Sequence, residues 1–393
     1  MAAVWQAGVA SRERDRAERR FNDVRQLSNA LLFEISPKIE RLQGATEARE
    51  ILVSRALEYL DSLAQEADGD LSLQMELASA YEKIGDLQGN PSNPNLVDLD
   101  SAIASYGKAF EIRSRALERD PRSEELQKKL ADNLRISGKI HGQANDYQTE
   151  SKNLNASLDL LDQLVTAESR QRDRTFAIAE VTYEIGRNRT ALTKYSDSFP
   201  YFEKAIAALE DLRIGARDDA EVLKLLGDCR VQFALALSWE KRQEEAEKEA
   251  AKGIADLERA VAVRPADINL ISSLWSGYWV TSSVYEDQDD RAAHELALKA
   301  LSLAENTVRG DAANIRAKQQ LAKSYSRVGQ TSTNIGKPAE AVKSLETARG
   351  MMLEITDTRS RNKGLKTDLT SILMRLGAAK FEQKDHEAGT GQF

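Results

Sequence analysis

Val328-Gly-Gln-Thr-Ser-Thr-Asn-Ile-Gly-Lys-Pro-Ala-Glu-Ala-Val-Lys-Ser-Leu-Glu-Thr-Ala348 reads as two amphipathic helices joined at a tight turn. Gly336 suits a helix end, where a left-handed backbone is needed, and Pro338 suits the first turn of the next helix. Gly329, Ala341 and Ala348 are small where two helices must approach closely. Just upstream stands Leu321-Ala322, then Tyr325, then Gly329, and this nine-residue frame recurs. It closes at Gly85, Gly138, Gly186, Ala234, Ser282, Gly329 and Gly377, at intervals of 53, 48, 48, 48, 47 and 48 residues. Gly89-Asn-Pro-Ser-Asn-Pro-Asn95 accounts for the long first interval as an insertion of five residues in one hairpin loop. A second landmark follows each closing residue by about nineteen positions: Ala109, Ser157, Ala205, Gly253, Ala300 and Ala348, with Ala56 ahead of them. Two landmarks that hold one phase over most of the chain mark a helical repeat.

The spacing of Gly329, Gly336, Ala341, Leu345 and Ala348 resembles the tetratricopeptide (TPR) repeat. A standard TPR has about 34 residues, so the extra ones are assigned as roughly seven per helix, two turns that keep the apolar stripe on its face. The fold expected is all-α: a TPR-like right-handed superhelical solenoid of about seven long antiparallel helix pairs. Residues 1–20 form an apolar then charged lead, 21–66 a degenerate helix pair, and 67–393 the array, whose last pair lacks most of its second helix. Pro121 and Pro265 are placed in the first turn of their helices, with Asp120 as a cap.

Composition agrees: charged residues make up 30% of 393 and prolines number seven, as suits a helical chain. A net charge of −8 disfavours nucleic acid and anionic membrane surfaces, both of which call for a basic stripe. The apolar lead Met1–Ala10 is too short to span a bilayer. Cys229, the only cysteine, reads as a buried small side chain. Asn155-Ala-Ser and Asn188-Arg-Thr match the glycosylation triplet but fall in helical hairpins.

No catalytic constellation stands out. Phosphate-binding loops and kinase motifs are absent, and His141, His294 and His386 lie in separate repeats with no ligand at zinc spacing. No enzyme activity, cofactor or metal is expected. In TPR-like arrays the first helix of each pair lines the concave face, and the resemblance places residues three before and one after the closing position there. Those are Glu82 and Asp86, Arg135 and Lys139, Tyr183 and Arg187, Val231 and Leu235, Trp279 and Ser283, and Ser326 and Gln330. Arg135, Lys139, Tyr183 and Arg187 form a basic-aromatic cluster suited to an acidic peptide or a terminal carboxylate, and Trp279 is a candidate anchor. Charge reversal at Arg135 and Arg187 is expected to weaken partner binding with little effect on melting.

Ala17-Glu-Arg-Arg-Phe-Asn-Asp-Val-Arg-Gln-Leu27, Leu31–Ile35 and Ala48–Leu60 resemble the segment after the membrane helix of bacterial receptor-type serine/threonine kinases with TPR tails. That resemblance implies a sensor or partner-binding tail, cytoplasmic or on the outer side of the inner membrane if tethered, although no kinase domain is present. The primary expectation is a noncatalytic scaffold for a protein or peptide; the second is such a kinase tail, separated from its catalytic domain.

Overall fold

The computed structural model describes residues 25–26, 30–35, 46–66, 70–91, 95–164, 171–286, 288–358 and 363–390. The apolar lead, Met1–Ala10, lies outside these residues.

A π-helical turn, Ala30–Ile35, precedes fourteen α-helices among the described residues. They are α1 (Thr46–Glu66), α2 (Leu71–Gly89), α3 (Leu99–Arg119), α4 (Glu124–Gln143), α5 (Tyr147–Gln163), α6 (Gln171–Ala191) and α7 (Tyr195–Gly215). The remainder are α8 (Ala220–Trp239), α9 (Gln243–Val263), α10 (Ile268–Val284), α11 (Asp290–Gly310), α12 (Ile315–Asn334), α13 (Pro338–Thr358) and α14 (Lys363–Thr390). The described residues contain no strand. Consecutive helices pack as hairpins, giving six complete pairs from α2–α3 to α12–α13, followed by α14. The fold is therefore an all-α, TPR-like solenoid. Pair α8–α9 shows the period: a helix of 20 residues, a short turn, one of 21, and a short loop before α10.

The register within each pair follows a rule of size. In each complete pair the closing residue stands opposite a residue sixteen positions on, fifteen for Ser282 and twenty-one for Gly85 across the insertion. Opposite glycine that residue is large. A Cβ on Gly85 would stand 2.5 Å from the Tyr106 ring, one on Gly186 2.8 Å from Phe202, and one on Gly329 2.5 Å from Leu345. Gly138 faces Leu154 at 3.4 Å. Where the closing residue is Ala234 or Ser282, the counterpart is Ala250 or Ala297. All these counterparts are buried. Each pair thus fills the same gap from one side or the other, as close packing requires. Pair α8–α9 is also close at Gly227, where a Cβ would stand 2.8 Å from the Gly253 carbonyl oxygen.

Helix starts follow a second rule. The residue fifteen before the closing position is Asp70, Ser123, Asp219, Asp267 or Asn314, and each accepts a backbone N–H of the first turn through its side chain. These caps satisfy amides that the helix leaves without partners. Pro121 and Pro265 sit in the loops ahead of Ser123 and Asp267 rather than inside the helices, and Asp120 closes α3 instead of capping α4. Two more residues were therefore needed to turn between pairs than the proline positions suggested.

The turns within pairs repeat too. Asn145, Thr193, Lys241 and Gly336 are the central residues of three-residue turns and all have positive φ, from 58° to 75°. Only Gly336 holds that conformation without a steric penalty. The insertion after α2 is ordered where it rejoins α3. Leu96 N–H donates to the Leu87 carbonyl at 2.9 Å, Asp98 N–H to that of Gln88 at 2.8 Å, and buried Asn95 Nδ2 to that of Asn90 at 2.7 Å.

Cys229 is buried in the α6–α9 core, which pushes its thiol up. Asn188 is likewise buried, donating to the Tyr147 carbonyl at 2.9 Å. No described helix is long and apolar enough to cross a membrane.

Candidate partner-binding groove

First helices of successive pairs pack on one another from α4 to α6, α8 and α10 and from α12 to α14, and α10 meets α12 through the Trp275 and Trp279 side chains, whereas second helices meet their like at most marginally. Elements that lie closer together in a stack are on the inside of its curve, so the first helices form the inner face.

The residues three before the closing position do not lie open on that face. They make the contact between one first helix and the next. Glu82 accepts from Asn133 Nδ2 at 2.9 Å, and Arg135 pairs with Glu180 at 3.3 Å. Trp279 Nε1 donates to the Lys323 carbonyl at 3.3 Å, and Ser326 accepts from Arg375 at 2.9 Å. Val231 and Ser326 are buried. So is Tyr183, whose ring packs against Phe202 at 6.3 Å, in place of the outward position expected of it. The longer first helices pack on one another over a broad strip and absorb this position.

The basic cluster is also closer to neutral than its sequence suggests. Lys139 pairs with Glu184 at 2.7 Å, and Arg187 reaches Glu184 at 3.3 Å and Glu150 at 3.9 Å. Glu150 and Glu184 are both buried. With the Arg135–Glu180 pair, three cations meet three carboxylates. Burial alone would raise the Glu184 carboxyl, but Lys139 and Arg187 outweigh it and bring it down to about 2. Burial keeps the Glu150 carboxyl above the usual range despite Arg187 and the Asn188 amide, which donates to it at 2.8 Å. Glu150 occupies space that a side chain at Gly142 would fill, since a Cβ there would stand 2.4 Å from its carboxylate. Reversing Arg187 would place a third carboxylate beside two buried ones, so it would lower stability, contrary to the sequence-based expectation.

Trp279 is half-buried. It stacks on Trp275 at 6.3 Å, and its face takes Arg327 at 4.6 Å and Lys323 at 5.4 Å. Trp275 Nε1 donates to Ser324 Oγ at 2.8 Å, which fixes the stack against α12. This aromatic stretch joins first helices, and Trp279 keeps part of its surface exposed.

Open space on the inner face lies toward the starts of α4, α6 and α8. A cleft of about 500 Å³ runs there, lined by Lys128, Asp132, Arg135, Ile136, Arg172, Phe176, Ala177 and Glu180, with Asp219 and Val222 at its α8 side. A second depression, of about 450 Å³, continues it toward the end of α5 and shares Lys128, Asp132, Asp173 and Ala177. Phe176, Ile136 and Ala177 give it an apolar floor, with charges of both signs around them. Burial raises the Asp132 carboxyl, while Glu180 and Asp132 outweigh burial and raise Arg135. Arg172 is held on the capping carboxylate of Asp219 at 2.5 Å. Lys128 makes no ion pair among the described residues. Of the expected site residues, Arg135 alone reaches this cleft. Lys128 and Phe176, both ten before a closing position, were missed; carrying the frame back through the added helical turns would have found them. Among the described residues no three His, Cys, Asp or Glu side chains stand together as a metal site.

No protein-family profile matches the chain, and no curated protein does. Solved structures of similar form exist. One is BtubC (BKLC) from P. vanneervenii, at 13% identity over 66% of this chain and 92% of that one, with a TM-score of 0.47. Another is a Rap protein complexed with competence and sporulation factor, at 14% identity over 85% and 88% of the two chains, TM-score 0.44. YrrB, described as a TPR protein with an unusual peptide-binding site, aligns at 15% identity over 62% and 91%, TM-score 0.31. With similarity this low, the fold is read from the chain's own helices. By its own helix pairing and period the chain is a TPR-like helical-repeat protein.

Proposed function

We propose that the chain is a noncatalytic scaffold that seats a protein or peptide segment on its inner face, in the cleft between α4, α6 and α8. The cleft itself carries this reading: an apolar floor at Ile136, Phe176 and Ala177 with Lys128, Asp132 and Arg172 around it. Such a surface suits a segment that lays one or two apolar side chains on the floor and sets polar groups against the rim. Lys128 is the cation placed to meet a carboxylate of the partner. Arg135 and Lys139 contribute chiefly by holding α4 to α6, and Arg187 by tying α6 to Glu150 of α5, which gives less support to a strongly acidic partner than the sequence did. The exposed part of half-buried Trp279 extends the surface along the array.

The test is affinity capture from a lysate of the source cells with mass spectrometry, comparing the wild type with Lys128→Glu/Ala177→Glu. Both positions lie on the cleft, and neither change removes an ion pair. A partner retained by the wild type and lost by the variant is expected; equal recovery would remove the cleft from the account.

A narrower form of this reading makes the array the tail of a membrane-anchored serine/threonine kinase. It rests on the resemblance of Ala17–Leu27, Leu31–Ile35 and Ala48–Leu60. Recovery of a kinase in the same capture experiment supports it, and its absence from a detergent-solubilised preparation counts against it.

A further inference from the structure

The face of α14 that lies away from α12 and α13 repeats the helix seat of every earlier pair, with no described helix upon it. Leu365, Ile372, Leu376 and Ala379 bury the opposite face. In α2 the corresponding stripe is Tyr81, Gly85 and Gly89, all covered by α3: Lys108 lies over the Tyr81 ring, Tyr106 over Gly85 and Ala102 over Gly89. In α14 the stripe is Leu373, Gly377 and Phe381. Leu373 is 47% exposed, Phe381 68%, and Met374 beside them 66%. A Cβ on Gly377 would meet nothing within 4 Å.

Two features of the stripe point to its occupant. Glycine at the closing position takes a large side chain elsewhere in the array, Tyr106, Leu154, Phe202 or Leu345. The position four residues on is small in five of the six pairs, at Gly89, Gly142, Thr190, Ser238 and Thr333, and is Glu286 in the sixth; the second helix presses close there at Gly89 and Gly142. In α14 alone it is a phenylalanine. Phe381 and Gly377 thus supply both halves of the knob-on-glycine contact from one exposed stripe. We propose that this stripe is an interface between two copies of the chain, with the α14 helices antiparallel. Phe381 of each copy lies on the other copy's Gly377, so the contact is made twice about one two-fold axis, as a closed isologous dimer requires. Leu373 and Met374 flank the contact and lose their exposure with it.

Sedimentation equilibrium of the full chain over a wide concentration range tests this, with Gly377→Leu and Phe381→Ser as variants. The wild type is expected to be a reversible monomer–dimer system, and each variant to dimerise about thirtyfold more weakly, the loss typical of a central interface residue. Because a side chain at residue 377 has open space in the single chain, Gly377→Leu should melt no lower than wild type under monomeric conditions. A wild type that stays monomeric throughout, or a dimer untouched by both substitutions, overturns the proposal. So does a lowered melting temperature for monomeric Gly377→Leu, which would show that the seat is already filled within one chain.

Discussion

Replacing Gly186 by alanine tests the size rule that sets the register of each helix pair. The new Cβ would stand 2.8 Å from Phe202 Cε1 and 3.0 Å from two further ring atoms. The ring cannot swing away: Phe202 is fully buried, with Tyr183 at 6.3 Å and Phe233 at 5.8 Å. Overpacking of this kind costs about 1–3 kcal/mol, offset by about 1 kcal/mol of helix propensity gained over glycine. Phe202→Ala alone leaves a cavity and costs about 3–5 kcal/mol. In the double variant the alanine at 186 has room, so its propensity gain of about 1 kcal/mol appears in full. The pair then matches Ala234 with Ala250, which the chain already uses in α8–α9. The two substitutions should therefore couple by about 2 kcal/mol, the double variant being more stable than Phe202→Ala alone. A repeat array need not unfold in one step, so the readout is hydrogen exchange of α6 and α7 together with urea unfolding followed by circular dichroism. Effects that add to within about 0.5 kcal/mol would refute the reasoning.

Three further outcomes follow from the same geometry. Thr193, exposed and at φ 58° in the α6–α7 turn, should be improved by glycine by about 1 kcal/mol; a lower urea midpoint for Thr193→Gly would contradict this. Glu184 is depressed from an ordinary value of 4.5 to about 2, so it adds stability above pH 4.5 that is lost as the pH falls through about 2. The full effect is at most about 3 kcal/mol. Glu184→Gln should flatten stability against pH across that window, and an unchanged profile would count against the ion network. Arg187→Glu should lower the melting temperature, by about 3–5 kcal/mol of stability if Glu150 and Glu184 stay ionised; melting as in the wild type would show the pairs to be incidental.

Much of the fold was legible because the repeat imposes its period on residues of special size. The spacing of Gly138, Gly186 and Gly329, and of Ser157, Ala205 and Ala348 behind them, located both helices of each pair. The insertion at Gly89–Asn95 was visible as a break in that spacing alone. Caps at Asp219, Asp267 and Asn314 were equally periodic, but Pro121 and Pro265, being conspicuous, drew the helix starts too early. The groove was less legible. Which face a position occupies depends on how far one pair rotates against the next, and longer helices changed that contact. Tyr183 turned onto Phe202 of its own pair and Val231 into the core for this reason. The neutralisation of Arg135 and Lys139 was hidden because Glu180 and Glu184 lie more than forty residues away, and pairing them requires the stacking geometry itself.

The most direct test of the scaffold account is hydrogen–deuterium exchange of the chain alone and with its captured partner. The account predicts slowed exchange centred on α4, α6 and α8, in the segments holding Lys128, Asp132, Phe176 and Ala177, with the second helices α5, α7 and α9 little changed. Protection confined to the second helices, or to α14, would contradict it.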